Sequence, residues 1–189
     1  MKFTTLLMVA LVSGVSFDAS AEQVPFAIVY GPKAAFNIVA PDGWVIDNTA
    51  GQENGLPCVL YRKGDTWENA EPLMYAKIAS TTIENAESFA KKAIEEMKTE
   101  RGEYETKRIE SGKTKDGRAY FVNEYFPSEN YSRRERVAYI QLPKAVAYVV
   151  YSADGEAAFR RHQSALREVL KSFTCLEVKP EGSPAPKKN

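Results

Sequence analysis

The residue types that carry chemistry are sparse in this chain, so their spacing is informative. His162 is the single histidine. It stands three residues after Phe159 and four before Leu166, beside an apolar helical stripe. That position predicts an imidazole at the margin of the core with one hydrogen bond. Ser152 and Asp154 lie close in sequence, and with His162 they hold the three groups of an acyl-transfer triad. A triad is defined by geometry, and no Gly-x-Ser-x-Gly elbow presents a serine here. Ser152 and Asp154 read better as residues that start a helix, Asp154 as its N-cap. No other ligand is spaced for a metal around His162, and no Cys/His cluster has zinc spacing. Neither a metal nor a cofactor is expected. The stretch 112–117, "GKTKDG", contains Gly-Lys-Thr but lacks the preceding glycines of a phosphate loop and precedes no helix; a β-turn is the expectation. The catalytic set is therefore empty. A hydrolase using an unrecognised pair of carboxylates stays open as an alternative, and it requires two acids with displaced pKa values in one cleft.

Aromatic and basic residues give more. The chain has ten tyrosines, nine phenylalanines and two tryptophans. The run 120–131, "YFVNEYFPSENY", sends Phe121 and Tyr125 to one side of a strand and Tyr120 and Phe126 to the other. One set belongs to the core; the other is exposed unless a helix covers it. Trp67 sits in the polar loop "GDTWENAEP". Exposed aromatics mark recognition surfaces, whereas covered ones pack across strands. Arg133, Arg134 and Arg136 form a mixed-charge run that suits either solvent or an anionic partner. The candidate binding set is Trp67, Tyr120, Tyr125, Tyr131, Arg133 and Arg134.

The chain opens with Lys2, a charge-free apolar stretch over 3–17, and Ala19-Ser20-Ala21. These are the parts of a secretory leader cut after Ala21. The apolar stretch is shorter than the roughly 20 residues of a spanning helix, and no later run is apolar enough to cross a bilayer. The expectation is an exported protein, periplasmic or secreted, with a leader over 1–21, one domain over 22–178 and a Pro- and Lys-rich disordered tail over 179–189. Two cysteines, Cys58 and Cys175, fall in the exported part, where thiols pair and persist. One disulfide between them is expected, worth about 2–4 kcal/mol; two buried thiols are the alternative. The chain has 25 basic and 25 acidic residues, so no net field draws it to nucleic acid.

The elements that must hold these residues follow from periodicity. Residues 24–41 read as one or two short strands broken at Gly31-Pro32, with Phe36, Ile38 and Ala40 alternating against Asn37 and Val39. Pro41-Asp42-Gly43 is a turn, placing Trp44 at an end of the core. Strands are expected at 58–64 and 73–81. Ala86, Phe89, Ala90, Ala93, Ile94 and Met97 form a stripe at helical spacing, with Asn85 as its cap and Gly102 at its end. Asp116-Gly117 joins two hairpin arms, 104–112 and 118–126. A further pair of strands meets near Leu142-Pro143-Lys144, and 145–151 is apolar enough for a central strand. A second helix carries Ala158, Phe159, His162, Leu166, Val169, Leu170 and Phe173 on one face, before a last short strand. The fold class is α+β: a mainly antiparallel sheet flanked by two amphipathic helices.

The pattern "F.I..P.GW" over 36–44, "A..FAKKAI" over 86–94, and the closing helix 159–173 ending "LKSF" resemble the PsbP/Mog1-like superfamily. The resemblance spans about 26–173 and rests on fold motifs. It implies an α/β/α sandwich and binding or assembly roles more often than catalysis. The chain shows no motif for the photosystem or Ran roles of named members, and an export leader argues against a nuclear one. The expected function is an exported, non-catalytic binding or assembly-support module of the cell envelope, with a protein partner in that compartment. A small-ligand carrier is the other alternative, recognisable by an aromatic-lined cavity between sheet and helix.

Overall fold

The apolar stretch expected as a central strand forms β9 (Val146–Asp154), and the computed structural model, which describes residues 26–176, puts it in the middle of a seven-stranded sheet. The expected leader (1–21) and tail (179–189) lie outside the described residues. Around β9 the sheet runs in the order β3 (Trp44–Asp47), β4 (Val59–Arg62), β5 (Leu73–Ile78), β9, β8 (Arg133–Gln141), β7 (Ala119–Tyr125), β6 (Thr106–Lys113). Each neighbouring pair is antiparallel. The Asp116-Gly117 turn forms as its residues demand: Gly117 takes φ +82°, and the Thr114 hydroxyl donates to Asp116 Oδ1 at 2.5 Å. Of the Gly-Lys-Thr in this segment, Gly112 and Lys113 end β6 and Thr114 opens the turn. β6 ends the sheet on that side; its register slips between Arg108 and Glu110.

A second sheet was not foreseen. β1 (Phe26–Tyr30), β2 (Ala35–Val39) and β10 (Thr174–Leu176) pair separately as three antiparallel strands. The turn at Pro41-Asp42-Gly43 closes with Trp44 N–H donating to the Pro41 carbonyl at 3.0 Å. It passes the chain from the smaller sheet to the larger one instead of folding β2 onto β3.

Strict alternation gives the larger sheet two apolar faces. On one, Met74, Ala76, Ala138, Ile140, Val149 and Tyr151 meet the smaller sheet and the C-terminal helical segments. On the other, Val137, Tyr139, Val146 and Val150 meet α1 (Ala86–Arg101). α1 starts as expected: Asn85 Oδ1 accepts the Ser88 N–H at 3.0 Å. Gly102 ends it with φ +79°.

The helix expected as one piece near the C-terminus is bent. It consists of α2 (Glu156–His162) and α3 (Ser164–Ser172), interrupted at Gln163. α2 rests on β9, while α3 also reaches β2 of the smaller sheet, and one straight helix cannot follow both. Asp154 does not cap it. Asp154 closes β9, and Gly155 at φ +83° makes the corner.

The Cys58–Cys175 disulfide is absent. Cys58 is buried beside β4, its carbonyl accepting from Ala76 N–H; Cys175 lies opposite Phe36 in β10. The two belong to different sheets. Facing sheets stand about 10 Å apart, and a disulfide needs Cα atoms within about 4.4–6.8 Å. Burial, then the Asp47 charge, push the Cys58 thiol up to about 12, so it is inert at neutral pH. Unfolding the protein without reductant should expose two titratable thiols per chain; a count of zero would restore the bridge.

Candidate functional site

Between α1 and the larger sheet lies a cavity of about 190 Å³. Its construction follows from two periodicities. α1 turns Phe89, Ala93 and Met97 downward at three-four spacing, and β5, β8 and β9 turn Tyr75, Tyr139 and Tyr148 upward at spacing two. Phe89 meets Tyr139 edge-on at 6.0 Å and Tyr148 at 5.7 Å. One end is closed by an ion pair. Arg101 donates to Glu135 at 2.8 Å, its guanidinium lies 3.7 Å from the Tyr131 ring centre, and the Tyr131 hydroxyl donates to the other Glu135 oxygen at 2.8 Å. Glu135 is only 4% exposed. Glu96 and Glu100 stand at the α1 rim.

The sequence-derived binding set does not form one surface. Tyr125 is buried and bonded to Tyr139 through their hydroxyls at 2.6 Å. Tyr131 is half-buried at the end of the cavity. Arg133 is spent on Ser152, at 2.8 Å to its hydroxyl, and on Glu71 at 3.0 Å. Glu71 closes the loop that contains Trp67, so that loop is tied to Arg133; Trp67 itself is half-buried in the turn made by Thr66 and Asn69. Tyr120 and Arg134 point to the opposite face. Tyr120 donates to Glu110 at 2.7 Å. Arg134 binds Glu124 and Glu156 and lies over the Phe126 and Phe159 rings at 4.5 and 4.8 Å.

No triad assembles. Ser152 faces the α1 side with Arg133, whereas His162 stands on the other side, edge-on to Trp44 at 6.3 Å. Burial first, then Arg62 and Arg161, lower the His162 pKa, so the ring is neutral at pH 7. Among the described residues no three Cys, His, Asp or Glu side chains gather as a metal site. The phenols around the cavity stay protonated. Burial, then Glu135, push Tyr131 up to about 12, and burial is the first cause of the raised values at Tyr75, Tyr139 and Tyr148. This arrangement offers π faces, hydroxyls and one fixed ion pair, and no activated nucleophile.

The opposite face has a wider groove of about 350 Å³ between α3 and β6–β8. Its charges are consumed internally: Arg167 holds Glu110 at 2.7 Å, and Arg136 holds Glu124 at 2.6 Å. Glu124 is 4% exposed and clamped by two arginines. Burial alone would raise its pKa; the Arg134 and Arg136 hydrogen bonds outweigh that and lower it.

Sequence reasoning missed Arg101, Glu135, Tyr75, Phe89 and Tyr148 as parts of one site. One signal was present. Glu135 alternates with Val137 and Tyr139, so the strand carries it inward, and an inward carboxylate needs a buried partner.

No protein-family model and no curated protein sequence matches the chain. Among solved structures, the solution structure of cyanobacterial PsbP (CyanoP) from Synechocystis sp. PCC 6803 is similar over 87% of this chain and 99% of its own, with a TM-score of 0.52 and 15% identity. A protein of Bacteroides thetaiotaomicron VPI-5482 aligns over 80% of this chain and 47% of its own, with a TM-score of 0.39 and 16% identity. The first likeness shows a PsbP-like fold. Among the described residues no helix is long and apolar enough to cross a membrane.

Proposed function

We propose that this chain is an exported, non-catalytic binding module of the cell envelope, periplasmic or secreted, and that its ligand site is the cavity between α1 and the larger sheet. The leader-like opening and the PsbP-like fold support the compartment. The observation that carries the binding role is the cavity itself: aromatic walls, a buried ion pair at one end, and a helix of few fully buried residues as its roof. Ligand sites have this character, apolar with a few placed polar groups. The hydrolase alternative is weaker because two of the three acids at the cavity are engaged and no second free carboxylate stands beside Glu100. Glu135 is held by Arg101 and Tyr131, and Glu96 pairs with Lys92 at 3.3 Å.

A thermal-shift screen of the purified protein against small amines, acids and neutral solutes tests the proposal. At least one class should raise the wild-type midpoint, and Ala93→Leu, which fills the cavity from α1, should cancel that rise. Shifts that survive Ala93→Leu unchanged would place the ligand elsewhere.

Assembly support through a protein partner is the second reading. It is favoured by Phe26, Tyr30 and Val39, exposed by 48%, 70% and 44% on the outer face of the smaller sheet. A partner lost on Tyr30→Glu but kept on Ala93→Leu would favour it over the cavity.

A further inference from the structure

The chemistry of the cavity walls narrows the ligand class. Aromatic faces carry negative potential and attract cations. This layer of the protein already uses that property twice. Arg101 lies over Tyr131 at 3.7 Å, and Arg108 lies over Phe121 at 3.8 Å, on the same α1 face. Tyr75 and Tyr148 line the cavity, and among the described residues no guanidinium or ammonium lies over either ring.

The charges agree in sign. Three carboxylates, Glu96, Glu100 and Glu135, border the space against one guanidinium, Arg101. Lys92 answers Glu96, and Arg101 answers Glu135. Glu100 has no ionic partner among the described residues and leaves the rim negative. An anion would meet this carboxylate and the π faces together. Arg101, the cation it would seek, already donates to Glu135 and is stacked on Tyr131.

Size sets a limit. The space of about 190 Å³ is well under the ~300–1,000 Å³ of sites for drug-sized ligands. It suits a compact headgroup.

Resting on the cavity as the ligand site, we propose that it binds a small organic cation, a quaternary or methylated ammonium group, by cation–π contact with Tyr75, Tyr148 and Phe89 and by the Glu100 charge at the rim. Binding is a docking event with no bond made or broken.

The test uses choline, its neutral isostere 3,3-dimethylbutanol, and acetate, each titrated into the purified protein and followed by calorimetry. Choline should bind at least tenfold more tightly than 3,3-dimethylbutanol, and acetate should not compete. Tyr148→Leu, which keeps apolar volume and removes a π face, should cut choline affinity about tenfold while the thermal midpoint shows the protein still folded. Glu100→Gln should weaken it less and abolish its salt dependence. Equal affinity for choline and its isostere, binding of acetate alone, or no effect of Tyr148→Leu would each overturn the cation assignment. If choline fails while another class in the screen loses its shift on Ala93→Leu, the cavity reading survives and the cation inference does not. If no class shows that loss, both fall.

Discussion

Phe173→Ala is expected to lose about 3–5 kcal/mol of unfolding free energy and to melt on the order of 10 °C lower. Phe173 is fully buried, and its ring stacks on Phe36 at 4.5 Å and 24°. It follows α3 directly and precedes β10, with its N–H donating to the Leu170 carbonyl. One ring therefore fastens the helix end, the strand after it and β2. Truncation empties a volume that three elements define, and β2 and β10 cannot close it without breaking their pairing. Total stability of a domain is about 5–15 kcal/mol, so the loss is a large share. Phe173→Leu, which keeps most of the volume, should cost much less. Urea denaturation of the two variants measures this. Equal midpoints for Phe173→Ala and wild type would show that the smaller sheet contributes little to the fold.

Glu124→Ala should have a comparable effect for an electrostatic reason. The carboxylate accepts from Arg134 and from Arg136. Both guanidiniums are held low by aromatic rings, Arg134 on Phe126 and Phe159, Arg136 on Phe159 at 5.2 Å. Removing the one nearly buried charge strips Arg136 of its carboxylate and leaves Arg134 with Glu156 alone, two partly desolvated cations side by side. Breaking such a group from one side costs about 3–5 kcal/mol. Removing the arginines as well, in Glu124→Leu/Arg134→Leu/Arg136→Met, should recover most of that loss, because the desolvation of unpaired charge goes with them.

The pH dependence has a defined sign. The folded-state pKa of Glu124 lies below its ordinary value of 4.5, so the folded protein binds fewer protons there than the unfolded chain. Its stabilisation is complete above the unfolded value and disappears as pH falls through the lowered folded one. Wild-type stability should decline on acidification below about pH 4.5, and Glu124→Ala should flatten that limb. A parallel decline in both proteins would assign the acid sensitivity to other carboxylates. Asp47 is one such group. Burial alone would raise it, but donors from Thr49, Ala50 and Tyr61 hold it at about 2.

Local order was readable where one period governs a whole element. The α1 stripe from Ala86 to Met97, the Asn85 cap and the Asp116-Gly117 hairpin appear where spacing and turn chemistry put them. So does the division of 120–126, with Phe121 and Tyr125 on one face and Tyr120 on the other. Partition between sheets was not readable. β2 and β3 look alike in pattern, and only pairing with β1 and β10 assigns the first to its own sheet. The disulfide expectation rested on compartment and not on geometry, and it failed because Cys58 flanks β4 of the larger sheet whereas Cys175 lies in β10 of the smaller one. The site was half visible. Tyr131 and Arg133 were named for their types, yet both turned out to serve internal contacts. The cavity depends on α1 crossing β8 and β9, a tertiary fact with no local signature.

The slipped register of β6 has a consequence for how this protein meets its neighbours. A free margin of backbone donors and acceptors invites a second molecule to add its own strand. Here Lys107, Arg108 and Lys113 are carried along that margin, and the slip at Ile109 spoils the regular spacing a newcomer would need. Charge and geometry together oppose polymer growth from this border. A strand added here would meet an interrupted backbone ladder beside a row of positive charge.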